Sequence, residues 1–169
     1  MSKKAYGFTI VELLIAIVVI AILAAISIVS YANISSRAND TAVQSDLQSL
    51  ARKLSAYEAM NGSYPVQGSN SAAMPGGIKH AINRQAYSDG VNVYYCVVPS
   101  GTNARFALAA KSKSGEVFTY RGGSLQSYSG QFNTGSVICS NMGIPDSETG
   151  YEYHYGRNTN SAWSSWTNG

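Results

Sequence analysis

The run from Lys3 to Tyr31, KKAYGFTIVELLIAIVVIAILAAISIVSY, constrains this chain more than any other stretch. From Leu13 to Ile26 no residue is polar, and between Phe8 and Val29 only Thr9, Glu12 and Ser27 are. At about 1.5 Å per residue, a helix over Phe8–Val29 is about 33 Å long, enough to cross the hydrocarbon core of a bilayer. Neither Gly nor Pro interrupts it, so the backbone can satisfy its own hydrogen bonds in lipid. A membrane span is therefore expected, with one carboxylate near its start. A charge at the centre of a membrane helix costs about 2.5–3.5 kcal/mol on insertion scales, so such residues tend to be functional. Glu12 allows two readings. It is an interfacial carboxylate that snorkels or protonates, with Lys3 and Lys4 on the cytoplasmic side, or it awaits a cationic partner from another chain.

The segment Gly7-Phe8-Thr9-Ile10-Val11-Glu12-Leu13 resembles the processing site of the type IV pilin family, which includes the type II secretion pseudopilins. The resemblance implies that residues 1–7 are a short basic leader cut after Gly7 by a prepilin peptidase. It also implies that Phe8 becomes the N-methylated mature N-terminus. Glu12 then takes the place of the family's glutamate, which pairs with the α-amino group of Phe8 in a neighbouring subunit during assembly. Such a pairing supplies each buried charge with a counter-ion. A secretory signal peptide is the competing reading, but its cleavage site follows the apolar run, here around Ala25, rather than preceding it.

The formal charge of +3 misleads, because loss of Lys3 and Lys4 leaves ten Lys and Arg against nine Asp and Glu. That balance predicts no dedicated nucleic-acid surface. Cys96 and Cys139 lie in the part the resemblance places outside the membrane. There an oxidising environment makes one disulfide the expectation, with isolated buried thiols as the alternative.

Past Ala32 the helical pattern continues with a different composition. Val43, Leu47, Leu50, Leu54 and Tyr57 recur at spacings of three and four, one apolar stripe on an otherwise polar helix. One helix from about Thr9 to Met60 is predicted, stopped by Asn61-Gly62 and kept from resuming by Tyr64-Pro65. Many pilins carry Pro at the place of Val29 and Gly at the place of Ala21, residues associated with local unwinding. Val and Ala here predict less melting.

Residues 66–90 read as a loop, with a short helix over 78–87 and a solvated His80. Three antiparallel strands are expected at Val91–Val98, Ala104–Ala110 and Glu116–Arg121, the last two joined by a turn at Ser114-Gly115. Ser136–Cys139 reads as a short strand or extended segment. The alternating Tyr151, Tyr153 and Tyr155 suggest a strand whose rings pack on the sheet, or alternatively form an exposed adhesive face together with Trp163 and Trp166. Asp146, Glu148 and Glu152 resemble the calcium loops of some pseudopilins but lack a known ligand spacing, and no metal or cofactor is assigned.

The expected fold is α+β: a long N-terminal helix packed on a small antiparallel sheet, as in the pilin head. The expected divisions are 1–7 leader, 8–31 apolar helix, 32–61 amphipathic half, 62–90 loop and 91–169 head. No catalytic constellation is present. The resemblance implies a structural subunit that polymerises into a helical filament used for adhesion, twitching motility or DNA uptake. It would sit in the cytoplasmic membrane as a single-pass precursor with its head outside, and on the cell surface once assembled. A prepilin peptidase, an assembly ATPase and a platform membrane protein are the implied partners. A pseudopilin of a secretion fibre or a minor pilin is the alternative, and a singly anchored enzyme or binding module the distant third.

Overall fold

The computed structural model describes residues 7–66, 74–159 and 162–163. The leader residues before Gly7, the middle of the loop and Trp166 lie outside them. The chain divides into two compact units, Met1–Ser36 and Arg37–Gly169. Helix α1, Ile10–Asn61, contributes residues to both. It is helical through Ala21 and Val29, which the absence of Gly and Pro allows. It ends at Gly62, whose φ of 73° places it in the left-handed region and whose N–H donates to the Glu58 carbonyl at 2.7 Å.

The second unit is a six-stranded antiparallel sheet: β1 Gly90–Val98, β2 Arg105–Lys111, β3 Val117–Arg121, β4 Ser124–Ser127, β5 Glu152–Thr159 and β6 Ala162–Trp163. Their spatial order is β4-β3-β2-β1-β5-β6. One face, carrying Val93, Tyr95, Val97, Leu108, Ala110 and Phe118, packs on Val43, Leu47, Leu50, Ala51 and Leu54 of α1. The apolar stripe is thus the core face of the helix, and Tyr57 lies half-buried at its end.

The opposite face carries Tyr94, Cys96, Val98, Ala107 and Ala109. It is covered by a second helix, α2, Gly135–Asn141, through Ile138, Cys139 and Met142. Because both faces of β1 are covered, its sequence is a nearly unbroken apolar run rather than an alternation. Tyr151, Tyr153 and Tyr155 are partly buried against this second cluster, so their rings pack on the sheet.

Four expectations are corrected. The segment at 136–139 is helical, not extended: Ile138 and Met142 are buried four residues apart, a helical spacing, while Val137 is exposed. The sheet exceeds three strands, because Gly122-Gly123, both at positive φ, turn β3 back into β4. No α-helix forms over 78–87, only a 3₁₀ turn at Arg84–Ala86. Side chains of α1 hold that segment instead: Lys53 Nζ donates to the Lys79 carbonyl at 2.7 Å, and the Asp46 carboxylate accepts from Asn83 N–H at 2.9 Å and from Tyr87 OH at 3.0 Å. Finally, His80 is 3% exposed rather than solvated, its Nε2 lying 3.0 Å from the Asp46 carbonyl oxygen.

Candidate functional site

Gly7, Phe8 and Thr9 precede the first helical residue, Ile10, so Thr9 occupies the position just before the helix. Its Oγ1 accepts from Glu12 N–H at 3.2 Å, and in return Glu12 Oε2 accepts from Thr9 N–H at 2.8 Å and from Thr9 Oγ1 at 2.7 Å. This reciprocal pair is a capping box, which satisfies donors that a helix start leaves unpaired. A carboxylate in the first turn also complements the positive end of the helix dipole. Both bonds end on Oε2, so Oε1 accepts neither of them.

Gly7 is not demanded by the fold. Its φ lies outside the left-handed region, and a Cβ placed there would meet nothing within 4 Å. Phe8 is 87% exposed, and the large apolar side chains from Ile10 to Ile34 are all exposed. Among the described residues, α1 is the one helix long and apolar enough to cross a membrane. A continuous apolar surface of this size marks a membrane or protein interaction site.

The other expected site residues lie in the second unit. Cys96 on β1 and Cys139 on α2 are fully buried and joined in a disulfide, with Cα atoms 5.6 Å apart. The bond fastens α2 to the central strand. Of the three acidic residues near Gly150, Glu148 pairs with Arg105 and Glu152 lies 3.3 Å from His154 Nε2. Among the described residues, no group of three His, Cys, Asp or Glu side chains is disposed to hold a metal ion.

Sequence reasoning missed Thr9, although Thr9-x-x-Glu12 before an apolar run is itself a capping-box signature. It also missed the Asp46–His80–Tyr87 cluster. His80 and Tyr87 lie 34 and 41 positions from Asp46, and no local pattern joins them to it.

Comparison with known proteins supplies two likenesses. Residues 2–28 match the family described as the prokaryotic N-terminal methylation motif. The type IV wide pilus major component of Thermus thermophilus is 36% identical over 110 residues, which are 65% of this chain and 76% of that protein. No solved structure matches the chain.

Proposed function

The chain belongs to the type IV pilin family, and from that premise we propose that it is a pilus subunit cut after Gly7, N-methylated on Phe8 and assembled through its N-terminal helix. Its role in this reading is structural rather than catalytic. A glycine that neither conformation nor crowding demands supports recognition by a prepilin peptidase, since the requirement then comes from outside the folded chain. The exposed apolar run supports a precursor held in the cytoplasmic membrane, with the disulfide-bonded head outside and later on the cell surface. An assembly ATPase and a platform membrane protein are the further partners this reading requires.

The observation that carries the proposal is the arrangement at Glu12. The capping box holds the carboxylate at the helix start with two bonds on Oε2. Oε1 remains for the α-amino group that cleavage creates on Phe8 of a neighbouring copy. The charge is hydrogen-bonded within its own chain before assembly and gains its counter-ion only between chains, which avoids an unpaired ion in the filament core. Likeness to a pilus major component supports a surface pilus over a secretion fibre. Adhesion, twitching motility and DNA uptake are the uses open to such a fibre.

Two measurements test the proposal. Mass spectrometry of the mature protein is expected to show a chain beginning at methylated Phe8; a chain beginning at Met1, or cut after Ala25, overturns it. Glu12→Ala is expected to abolish or sharply reduce fibres while leaving membrane insertion intact. Normal fibres from that variant refute the pairing.

A further inference from the structure

The sheet face opposite α1 is only partly covered. Disulfide-bonded α2 lies over β1 and β5, and it ends before β3 and β4. Register places Thr119 opposite Ala109 and Gln126, and Arg121 opposite Ala107 and Ser124. Directly paired residues share a face, so Thr119, Arg121, Ser124 and Gln126 stand beside Ala107 and Ala109 on the α2 side. The result is a step: the outer hairpin forms a floor, and the C-terminal end of α2, at Asn141 and Met142, forms a wall. A concavity of about 240 Å³ lies in that step.

Three features make this more than a gap between elements. First, its charge is one-sided: among the described residues no Asp or Glu lines it, and Arg121 has no carboxylate within ion-pair distance. Second, the exposed Arg121 guanidinium lies against the backbone that borders the step. Gly143, at φ 74°, brings bare backbone so close that a Cβ there would lie 2.6 Å from the guanidinium. Third, the neutral groups are oriented: Asn141 Nδ2 donates to Tyr128 OH at 2.8 Å, leaving the tyrosine proton to point elsewhere.

We propose that this step is a binding site for a carboxylate-bearing sugar unit, such as a hexuronate residue of an acidic polysaccharide. Arg121 takes the carboxylate with paired N–H donors, the geometry for which a guanidinium is suited. Hydroxyl and amide side chains of Thr119, Ser124, Gln126 and Tyr128 both donate and accept, which matches the hydroxyls of a sugar ring. Met142 borders the step at its wall. The volume lies below the roughly 300–1,000 Å³ of drug-sized sites, so it suits a single ring. One cation does not make a nucleic-acid surface, because phosphate backbones are held by several.

The test is an NMR titration of the full-length protein in detergent micelles with a hexuronate trisaccharide and with its carboxyl-reduced counterpart. Saturable shifts confined to Arg121, Ser124, Gln126 and Asn141 are expected, with the reduced sugar binding about tenfold or more weakly. Arg121→Gln is expected to weaken the acidic ligand by a similar factor and to lose the distinction between the two sugars. Lys113→Gln, which alters an exposed cation on the β2–β3 turn, is expected to change neither. Absence of saturable binding at millimolar ligand, or equal affinity for both sugars, overturns the proposal. So does an equal loss in the Arg121 and Lys113 variants, or tighter Arg121-dependent binding of an acidic peptide. The sugar comparison needs no variant, so it stands even if Arg121→Gln fails to fold.

Discussion

Replacing His80 with Gln is expected to flatten the acid limb of the head's stability curve. His80 is buried to 3% exposure, with Nε2 donating to the Asp46 carbonyl at 3.0 Å and Nδ1 finding no hydrogen-bond partner among the described residues. Protonation would place a second N–H on Nδ1 with no acceptor among the described residues, and would add a charge that the Lys53 ammonium disfavours. Burial first, and then Lys53, hold the pKa below its ordinary value of 6.5; Asp46 opposes them through its charge and its carbonyl. A lowered folded-state pKa means that the unfolded chain takes up the proton first. The contribution of neutral His80 is therefore complete above about pH 6.5 and is lost as pH falls toward the lowered folded-state value. Within that interval the slope approaches one proton, about 1.4 kcal/mol per pH unit. Urea unfolding of the full-length protein in micelles, followed by circular dichroism at pH 7.5 and 5.5, measures it. The wild type is expected to lose up to about 1.4 kcal/mol more than His80→Gln over this range. Carboxylates and His154 are common to both chains and cancel in the difference. Equal pH slopes in the two chains would refute the reasoning.

Three further outcomes are expected. Joint replacement of Cys96 and Cys139 by Ala opens a loop with a sequence separation of 43 and should cost the head about 4 kcal/mol by chain entropy, read from urea unfolding. A loss below about 1 kcal/mol would contradict that entropic account. Thr9→Val removes the hydroxyl of the capping box and should weaken the helix start by about 1 kcal/mol. Amide exchange at Val11–Leu13 in micelles should then quicken several-fold, whereas Thr9→Ser leaves it unchanged. Gly143→Ala meets both a φ of 74° and the Arg121 guanidinium. It should destabilise the head by about 1–2 kcal/mol and shift the Arg121 side-chain resonances.

The parts of the head legible in the sequence are those where local pattern and tertiary demand agree. The stripe from Val43 to Leu54 has helical spacing and buries what that spacing predicts. Gly62 stops the helix because the left-handed conformation found there is cheap only for glycine. The failures have separate causes. Ser136–Cys139 is a short apolar run, for which helix and strand patterns coincide, and only the joint burial of Ile138, Cys139 and Met142 in the folded chain marks it as a helix. The β3–β4 turn was available as a Gly-Gly pair, but β4 itself, Ser-Leu-Gln-Ser, carries almost no strand propensity. It is a strand because β3 offers it a ladder. His80 was unreadable for another reason: its burial depends on Asp46 and Lys53, which only the folded chain brings to it.

At Glu12 the family resemblance points to a partner in another chain, whereas the partner within the chain, Thr9, went unread. An apolar run with a lone carboxylate poses an electrostatic problem, and the family resemblance answers it with a second chain. Yet a monomer waiting in the bilayer needs an answer too, since several kcal/mol oppose an unsatisfied charge there. Thr9 supplies it through donors that the helix start has to spare. Had the carboxylate been one residue earlier or later, it would lie about 100° around the helix, out of reach of the Thr9 amide. The three-residue spacing thus sets where Glu12 points before any second subunit arrives. If a neighbouring amine then binds Oε1, Thr9 keeps its bonds to Oε2 and no hydrogen bond is broken on assembly. On this geometry Thr9→Val and Glu12→Ala should differ. The first leaves a carboxylate that still pairs but is poorly aimed, so fibres form slowly; the second leaves nothing to pair, so slow fibres are not expected at all.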